Sequence, residues 1–194
     1  MKDLYQGALV CLASESPEVM AKCFSAWDRD SEAHRLADYA VSLPRSEKSL
    51  KESIEKRLEP KDGSFQFAIR TLAENKFIGV TSLWIQAWNH SEAWLGIYIG
   101  DREYWGKGYG TDAMRLIVGY GFAELNLRRI SLGLHAFNER ALKSYLKVGF
   151  QVEGRERGVF LRDGVRYDDL VMGLLREDWL EMNHDHHAIE RNVS

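Results

Sequence analysis

Alternating apolar and polar positions mark the strands of this chain, and apolar residues recurring every three or four positions mark its helices. Ala8 to Leu12 reads as a first strand. Pro17 opens a helix through about Trp27, with Ser16 placed to cap it. Asp28 to Pro44 is mixed and charged and predicts a helical turn and loop. Within Ser46 to Leu58, the residues Leu50, Ile54 and Leu58 recur at helical spacing, and Ser46 and Ser49 can each cap. Phe65, Phe67 and Ile69 alternate like a half-buried strand, and Glu74-Asn75-Lys76 closes a hairpin to Phe77–Ile85. Ala93 to Ile99 follows as a fourth strand. Ala113, Leu116, Ile117 and Phe122 put an apolar stripe on a long helix, and Ile130, Leu132 and Leu134 form the next strand. Asn138 caps a further helix, and Phe150 to Leu161 pairs with Tyr167 to Leu175 around Arg162-Asp163-Gly164. The order is strand, two helices, three strands, helix, strand, helix and two strands: an α/β (α+β) chain.

Composition narrows this only slightly. The 194 residues suit one domain with a real core, and 45% hydrophobic with 28% charged residues is ordinary for a globular protein. No repeat, linker or low-complexity tract divides it, so residues 1–183 are expected to be a single domain and 184–194 a frayed tail. A net charge of −3 gives no electrostatic case for nucleic acid or an anionic membrane as partner. Two cysteines, Cys11 and Cys23, are too few for a disulfide framework, and no signal peptide or spanning stretch is visible, so a cytoplasmic protein is expected. His184-Asp185-His186-His187 could bind metal adventitiously, but a loose tail lacks fixed geometry, and no metal site is assigned. His34, His90 and His135 are scattered. Arg155, Arg157, Arg162 and Arg166 cluster near the last hairpin and could meet an acidic acceptor or a partner subunit, but read first as a solvated edge.

The chemistry lies after the fourth strand. Ile97 to Thr111 feeds a strand into a loop with glycines at 106, 108 and 110, and the loop opens directly into a helix. A helix N-terminus leaves N–H groups unpaired and carries partial positive charge, and glycines remove side chains that would hold an anion away from it. The turn is built for phosphate or pyrophosphate. A Walker-type spacing fails, because Lys107 is followed by Gly108. Gly108-Tyr109-Gly110-Thr111-Asp112-Ala113 fits a dinucleotide fingerprint, but the following strand, Arg129 to His135, ends without the acidic residue a ribose requires. Tyr104-Trp105-Gly106-Lys107-Gly108-Tyr109-Gly110-Thr111 resembles the acyl-CoA pyrophosphate loop of GCN5-related N-acetyltransferases, especially the branch of ribosomal-protein and spermidine acetyltransferases. Asn138-Glu139-Arg140-Ala141-Leu142-Lys143-Ser144-Tyr145-Leu146-Lys147-Val148-Gly149-Phe150 resembles that family's second motif, at the expected distance. The resemblance runs from about Gly7 to Trp179.

It implies a mixed, mostly antiparallel sheet of about seven strands flanked by helices and splayed between the fourth and fifth strands. It further implies acetyl-CoA as co-substrate, direct attack by a primary amine, and no metal. Ile97 and Ile99 would offer backbone groups to the pantetheine arm, leaving Tyr98 on the opposite face. Trp105, Gly106, Lys107, Gly108, Tyr109, Gly110 and Thr111 would hold the pyrophosphate. Asn138 would contact the arm as well as cap its helix, and Lys143, like Lys107, would reach phosphate oxygens. Tyr145 would protonate the departing thiolate. Its face, shared with Ala141 and Val148, is equally a core face. No base is evident: Trp94 stands where many relatives carry a strand glutamate, Glu92 is expected on the other face, and Glu124 and Glu153 cannot be placed. Trp84 and Trp94 would form an aromatic wall for the acceptor or simply pack. The acceptor would be a protein N-terminus, a polyamine or a small-molecule amine. Homodimers are common among relatives, though nothing in the sequence demonstrates one. The missing glutamate keeps open a non-catalytic acyl-CoA sensor on the same fold, and a dinucleotide oxidoreductase stands a distant third.

Overall fold

In the computed structural model, which describes the backbone of residues 3–59 and 61–191 and side chains through residue 183, each apolar stripe finds a partner. The strands β1 (Val10–Ala13), β2 (Ser64–Thr71), β3 (Phe77–Ala87), β4 (Glu92–Ile99), β5 (Arg129–His135), β6 (Gln151–Arg162) and β7 (Val165–Leu175) form one seven-stranded sheet in the order β1-β2-β3-β4-β5-β7-β6. Every neighbouring pair is antiparallel except β4–β5, which is parallel. The helices are α1 (Pro17–Trp27), α2 (Ser31–Ala37), α3 (Glu47–Leu58), α4 (Tyr109–Ala123), α5 (Glu139–Val148) and α6 (Arg176–Arg191). On one face Ile69, Ile78, Leu83, Leu95, Ile130, Leu132 and Met172 bury the stripe of α4, with Met114, Ile117 and Phe122 fully covered. Burying a side chain such as Phe122 contributes about 2–3 kcal/mol. On the other face Ala68 and Phe77 pack under Met20 and Phe24 of α1 and Leu50 and Ile54 of α3.

The expected caps are in place. Ser16 accepts from the Val19 N–H and Ser46 from the Ser49 N–H, so Ser46, not Ser49, starts α3. Asp30 caps α2 through Ala33 N–H, which makes three helices rather than two between β1 and β2. At the far end of the sheet Asp163 and Gly164, with φ of 51° and 78°, make a two-residue turn, and both positive φ values fit the type I′ geometry that hairpin twist favours. The α6 backbone continues to Arg191, while the His-rich side chains from residue 184 onward, and the metal reading placed on them, lie outside the described residues. No described helix is long and apolar enough to cross a membrane.

The first strand begins two residues later than the pattern predicts. The Ala8, Leu9 and Val10 N–H groups all donate to the buried carboxylate of Asp112 in the first turn of α4, at 3.2, 2.7 and 3.1 Å. Ladder pairing with β2 therefore starts at Val10. Gly7 makes this approach feasible, since a β-carbon there would lie 2.4 Å from an Asp112 oxygen. Hydrogen bonds to a charged acceptor contribute about 1.5–3 kcal/mol each, less than additively when shared. Asp112→Ala is expected to lose about 3 kcal/mol in urea unfolding, and Asp112→Asn less, because its amide oxygen still accepts.

Candidate active site

The ladder between β4 and β5 covers only Glu92↔Arg129, Ala93↔Ile130 and Trp94↔Ser131. Beyond Trp94 the two strands part. Gly100 N–H donates to the Ile78 carbonyl at 3.0 Å, and Gly79 faces Ile99 across the β3–β4 ladder. In an antiparallel ladder bonded and non-bonded pairs alternate, so the Ile97 and Ile99 backbone groups point away from β3 and into the gap. Tyr98 faces the other side, against Phe24 and Trp27, as expected from strand alternation. Trp105 folds back to donate its indole N–H to the Ile99 carbonyl at 2.7 Å, satisfying one group of this open edge.

The glycine loop closes the wide end of the gap. Gly106 and Gly108 sit at φ of 71° and 92°, where a side chain is strained, and Gly108 begins α4 without any side-chain cap. The first-turn N–H groups up to Thr111 are thus left for an external acceptor. Thr111 Oγ1 lies 2.8 Å from Ser144 Oγ, which joins α4 to α5 across the site. Arg140 lies with its guanidinium carbon 3.5 Å from the centre of a Trp105 ring, and Arg102 at 4.8 Å, so two cations flank the indole at the loop.

Helix α5 supplies the other wall. Asn138 accepts from Ala141 N–H at 3.1 Å and donates to the Leu36 carbonyl at 3.0 Å, so it caps α5 and ties it to α2. Gly149, at φ 108°, ends the helix, with its N–H on Leu146 and that of Phe150 on Tyr145. Tyr145 is partly buried, and burial pushes its phenol up to about 12, with Arg140 pulling slightly the other way. Such a phenol keeps its proton at neutral pH.

These pieces enclose a cavity of about 400 Å³. Ile97, Ile99, Trp105, Gly106, Gly108, Gly110, Thr111, Asn138, Lys143 and Tyr145 all line it. Four expected residues do not. Lys107 is exposed outside the wall, and Tyr109 packs edge-on against Tyr104 at 4.9 Å. Trp84 and Trp94 face each other across the β3–β4 ladder on the open sheet face: a methyl at Gly96 would meet the Trp84 ring at 2.8 Å, and one at Gly133 the Trp94 ring at 3.6 Å. They border the cavity from behind its glycines. Lys143 pairs with Glu139 at 3.5 Å and is exposed.

The candidate strand carboxylates are otherwise engaged. Glu92, expected opposite Trp94, shares its face, as the two-residue period of a strand requires, and pairs with Arg129 at 3.2 Å. Arg129 also grips Glu153 and holds its carboxyl below the usual range. Glu124 closes the opposite end of α4 from the glycine loop, roughly 20 Å away at 1.5 Å per residue. Among the described residues no Asp or Glu lines the cavity, whereas Arg140, Lys143 and Lys147 do.

Pattern reading passes over Arg140, Tyr39, His135 and Asp169. Arg140 could have been found from its place inside the second motif. The other three meet only through tertiary pairing. His135 Nδ1 lies 2.8 Å from Asp169 Oδ1, the Tyr39 hydroxyl donates to Asp169 Oδ2, and both Tyr39 and His135 reach the cavity.

Comparison with known proteins gives the family and the fold. Residues 14–151 match the acetyltransferase (GNAT) domain family. The chain is 28% identical to the prophage-derived uncharacterized N-acetyltransferase YokL of Bacillus subtilis over 80% of this chain and 84% of that one. It is 36% identical to the probable N-acetyltransferase YjcK of the same organism, over 64% and 68% respectively. A spermidine N-acetyltransferase from Vibrio cholerae, solved with CoA and spermine, shares the fold with a TM-score of 0.73 at 23% identity, covering 88% of this chain and 98% of that one.

Two loop glycines separate conformational need from space. Gly108→Ala places a β-carbon at positive φ and is expected to cost about 1 kcal/mol, lowering the melting temperature by roughly 3 °C. Gly110→Ala, in ordinary helical conformation and 3.6 Å from Ile99, is expected to hold or raise it. Differential scanning calorimetry of the two variants checks both.

Proposed function

The chain belongs to the acetyltransferase (GNAT) domain family, and on that footing we propose that it moves acetyl from acetyl-CoA to a primary amine by direct attack, with both substrates bound together. The carrying observation is that one cavity joins the uncapped start of α4, the open β4 edge and the Tyr145 phenol. The pyrophosphate suits the α4 N–H groups, with Arg140 and Lys143 nearby, and the pantetheine amides suit the backbone of Ile97 and Ile99. The Ile97 N–H would polarise the thioester carbonyl. Attack forms the C–N bond, the C–S bond breaks with its electron pair leaving on sulfur, and Tyr145 protonates the thiolate. The phenol raised to about 12 stays protonated through the neutral range, so it imposes no alkaline limit there.

The acceptor class follows from what the wall carries. A polyamine holds further ammonium groups next to the reacting one, and the described lining offers cations but no carboxylate to receive them. A protein N-terminus or small-molecule amine with apolar surroundings fits better, entering beside Leu36 and Tyr39. The two cysteines, both unpaired, accord with action in the cytoplasm. The engaged strand carboxylates also suit a non-catalytic acyl-CoA sensor, which the same test separates.

Free-thiol release from acetyl-CoA, measured against N-terminal peptides, amino sugars, amino acids and polyamines, is expected to respond to one class. Tyr145→Phe is expected to lower kcat about 100-fold while calorimetry finds acetyl-CoA affinity unchanged. Tight acetyl-CoA binding with no turnover of any amine would leave the sensor; no acetyl-CoA binding would overturn both readings.

A further inference from the structure

Extending the parallel register beyond Trp94↔Ser131 sets Ile97 level with Leu134, and Tyr98 level with His135, on opposite banks of the gap. His135 therefore stands at the height where the thioester carbonyl would lie, on the sheet face opposite α4. Its neighbour in the β5–β7 ladder is Asp169. The two side chains are almost wholly buried, at 3% and 2% exposure, and are joined through Nδ1 and Oδ1. Phe137 and Phe160 stack on the imidazole with centroids at 5.2 and 4.1 Å, and Tyr39 meets it edge-on at 4.8 Å. Tyr39 itself is 61% exposed and lines the cavity, while its hydroxyl reaches inward to Asp169. A buried ionisable pair is a poor way to stabilise a sheet, since well-packed apolar residues do as well or better. Here Tyr39 and His135 both line the cavity, and the Tyr39 hydroxyl donates to the Asp169 carboxylate.

We propose that Tyr39, Asp169 and His135 form the proton acceptor for the amine, with Tyr39 as the group that meets it. This rests on the acetyl-transfer reading above. In the resting chain the imidazole donates its Nδ1–H to the Asp169 carboxylate, and Tyr39 donates its O–H to the second oxygen. The entering ammonium gives one proton to the Tyr39 oxygen as the hydroxyl proton passes to Asp169, leaving a neutral amine and an uncharged Asp169–His135 pair. The amine lone pair forms the C–N bond and the C–S bond breaks. Tyr145 protonates the thiolate and regains its proton from the new amide nitrogen. Asp169 then releases its proton to water through Tyr39. One ammonium proton ends on CoA, one in solvent, and one remains on the amide.

The surroundings favour this direction. Burial raises the Asp169 carboxyl above its usual range, making it a better proton acceptor than a solvated carboxylate. Burial lowers the imidazole, which keeps His135 neutral. The other groups facing the ring are Asp38, whose backbone carbonyl and charge oppose that lowering, and Arg162 of β6, which adds to it. Tyr39 and Asp38 belong to the α2–α3 connection and Asp169 to β7. His135 and Asp169 are thus positioning and storing groups, and Tyr39 is the catalytic contact.

The decisive variant is Tyr39→Phe in the full chain, since its ring is exposed and the change removes only the hydroxyl. With the best acceptor of the amine panel, kcat should fall about 100-fold, with unchanged acetyl-CoA affinity. In the wild type, activity should drop as pH falls through an acid limb whose position stays fixed when the acceptor is exchanged for one of different amine pKa. That limb should vanish in Tyr39→Phe and shift in His135→Gln. A Tyr39→Phe enzyme within threefold of wild type, with the same limb, would overturn the relay while leaving acetyl transfer intact. A wild type that turns over no amine removes both, which the parent assay alone reveals.

Discussion

The parting of β4 from β5 is the constraint around which the rest is arranged. A sheet is stable because buried N–H and C=O groups are paired, and a gap in its centre leaves a row of them without neighbours. Three ladder pairs hold the strands at one end, and Trp105 answers the Ile99 carbonyl at the other. Between these points the open groups of Ile97 remain, in a slot bounded by α4 and α5. An extended amide-bearing chain is the natural occupant of such a slot, just as an added strand is of a sheet edge. The uncapped helix N-terminus beyond it is oriented to suit an anion.

The α2 side of the cavity is set by a different kind of contact. Helix α2 lies across the mouth, joined at its start by Arg102 to Asp30 and Glu32 and at its end by Asn138 to the Leu36 carbonyl. Arg35 reaches Asp163, and Arg162 reaches the Asp38 and Ala40 carbonyls from the β6–β7 hairpin. Exposed ion pairs contribute little individually. Their arrangement nevertheless places the α2–α3 connection, and with it Tyr39, over the inner end of the cavity. Two segments remote in sequence therefore shape one side of the cavity. The hairpin arginines, which read as a solvated edge, include a member that reaches inward: Arg162 also lies over Phe160, at 4.2 Å.

What was legible in the sequence is local. The glycine loop, the Asn138 cap and the helical spacing from Asn138 to Tyr145 each lie within a dozen residues, and backbone physics alone ties them together. The splay and the seven-strand architecture were legible only through family resemblance, because pairing order is not written in periodicity. His135 looked scattered because its partner Asp169 lies 34 residues away and that carboxylate's other partner, Tyr39, lies 130 residues from Asp169. Alternation assigns His135 to a face, but only the β5–β7 register brings Asp169 beside it. The tryptophans illustrate the converse: Trp84 and Trp94 are cross-strand neighbours, and their conspicuous size says nothing of which surface they cover. Trp105 does line the cavity, yet its only polar group is turned toward the strand.

The clamp at Asp112 bears on the order in which the chain assembles. Residues 8–10 leave the ribosome well before the carboxylate that orients them, which lies just over 100 positions later. At about 5–20 residues per second, β1 waits several seconds without its anchor. During that interval β2 and β3 can already pair, so the outer edge of β2 stays uncovered on the nascent chain. The strand β1 is thus a late arrival, and the sheet's vulnerable edge during synthesis is that of β2, with β3 and β4 between it and the central gap.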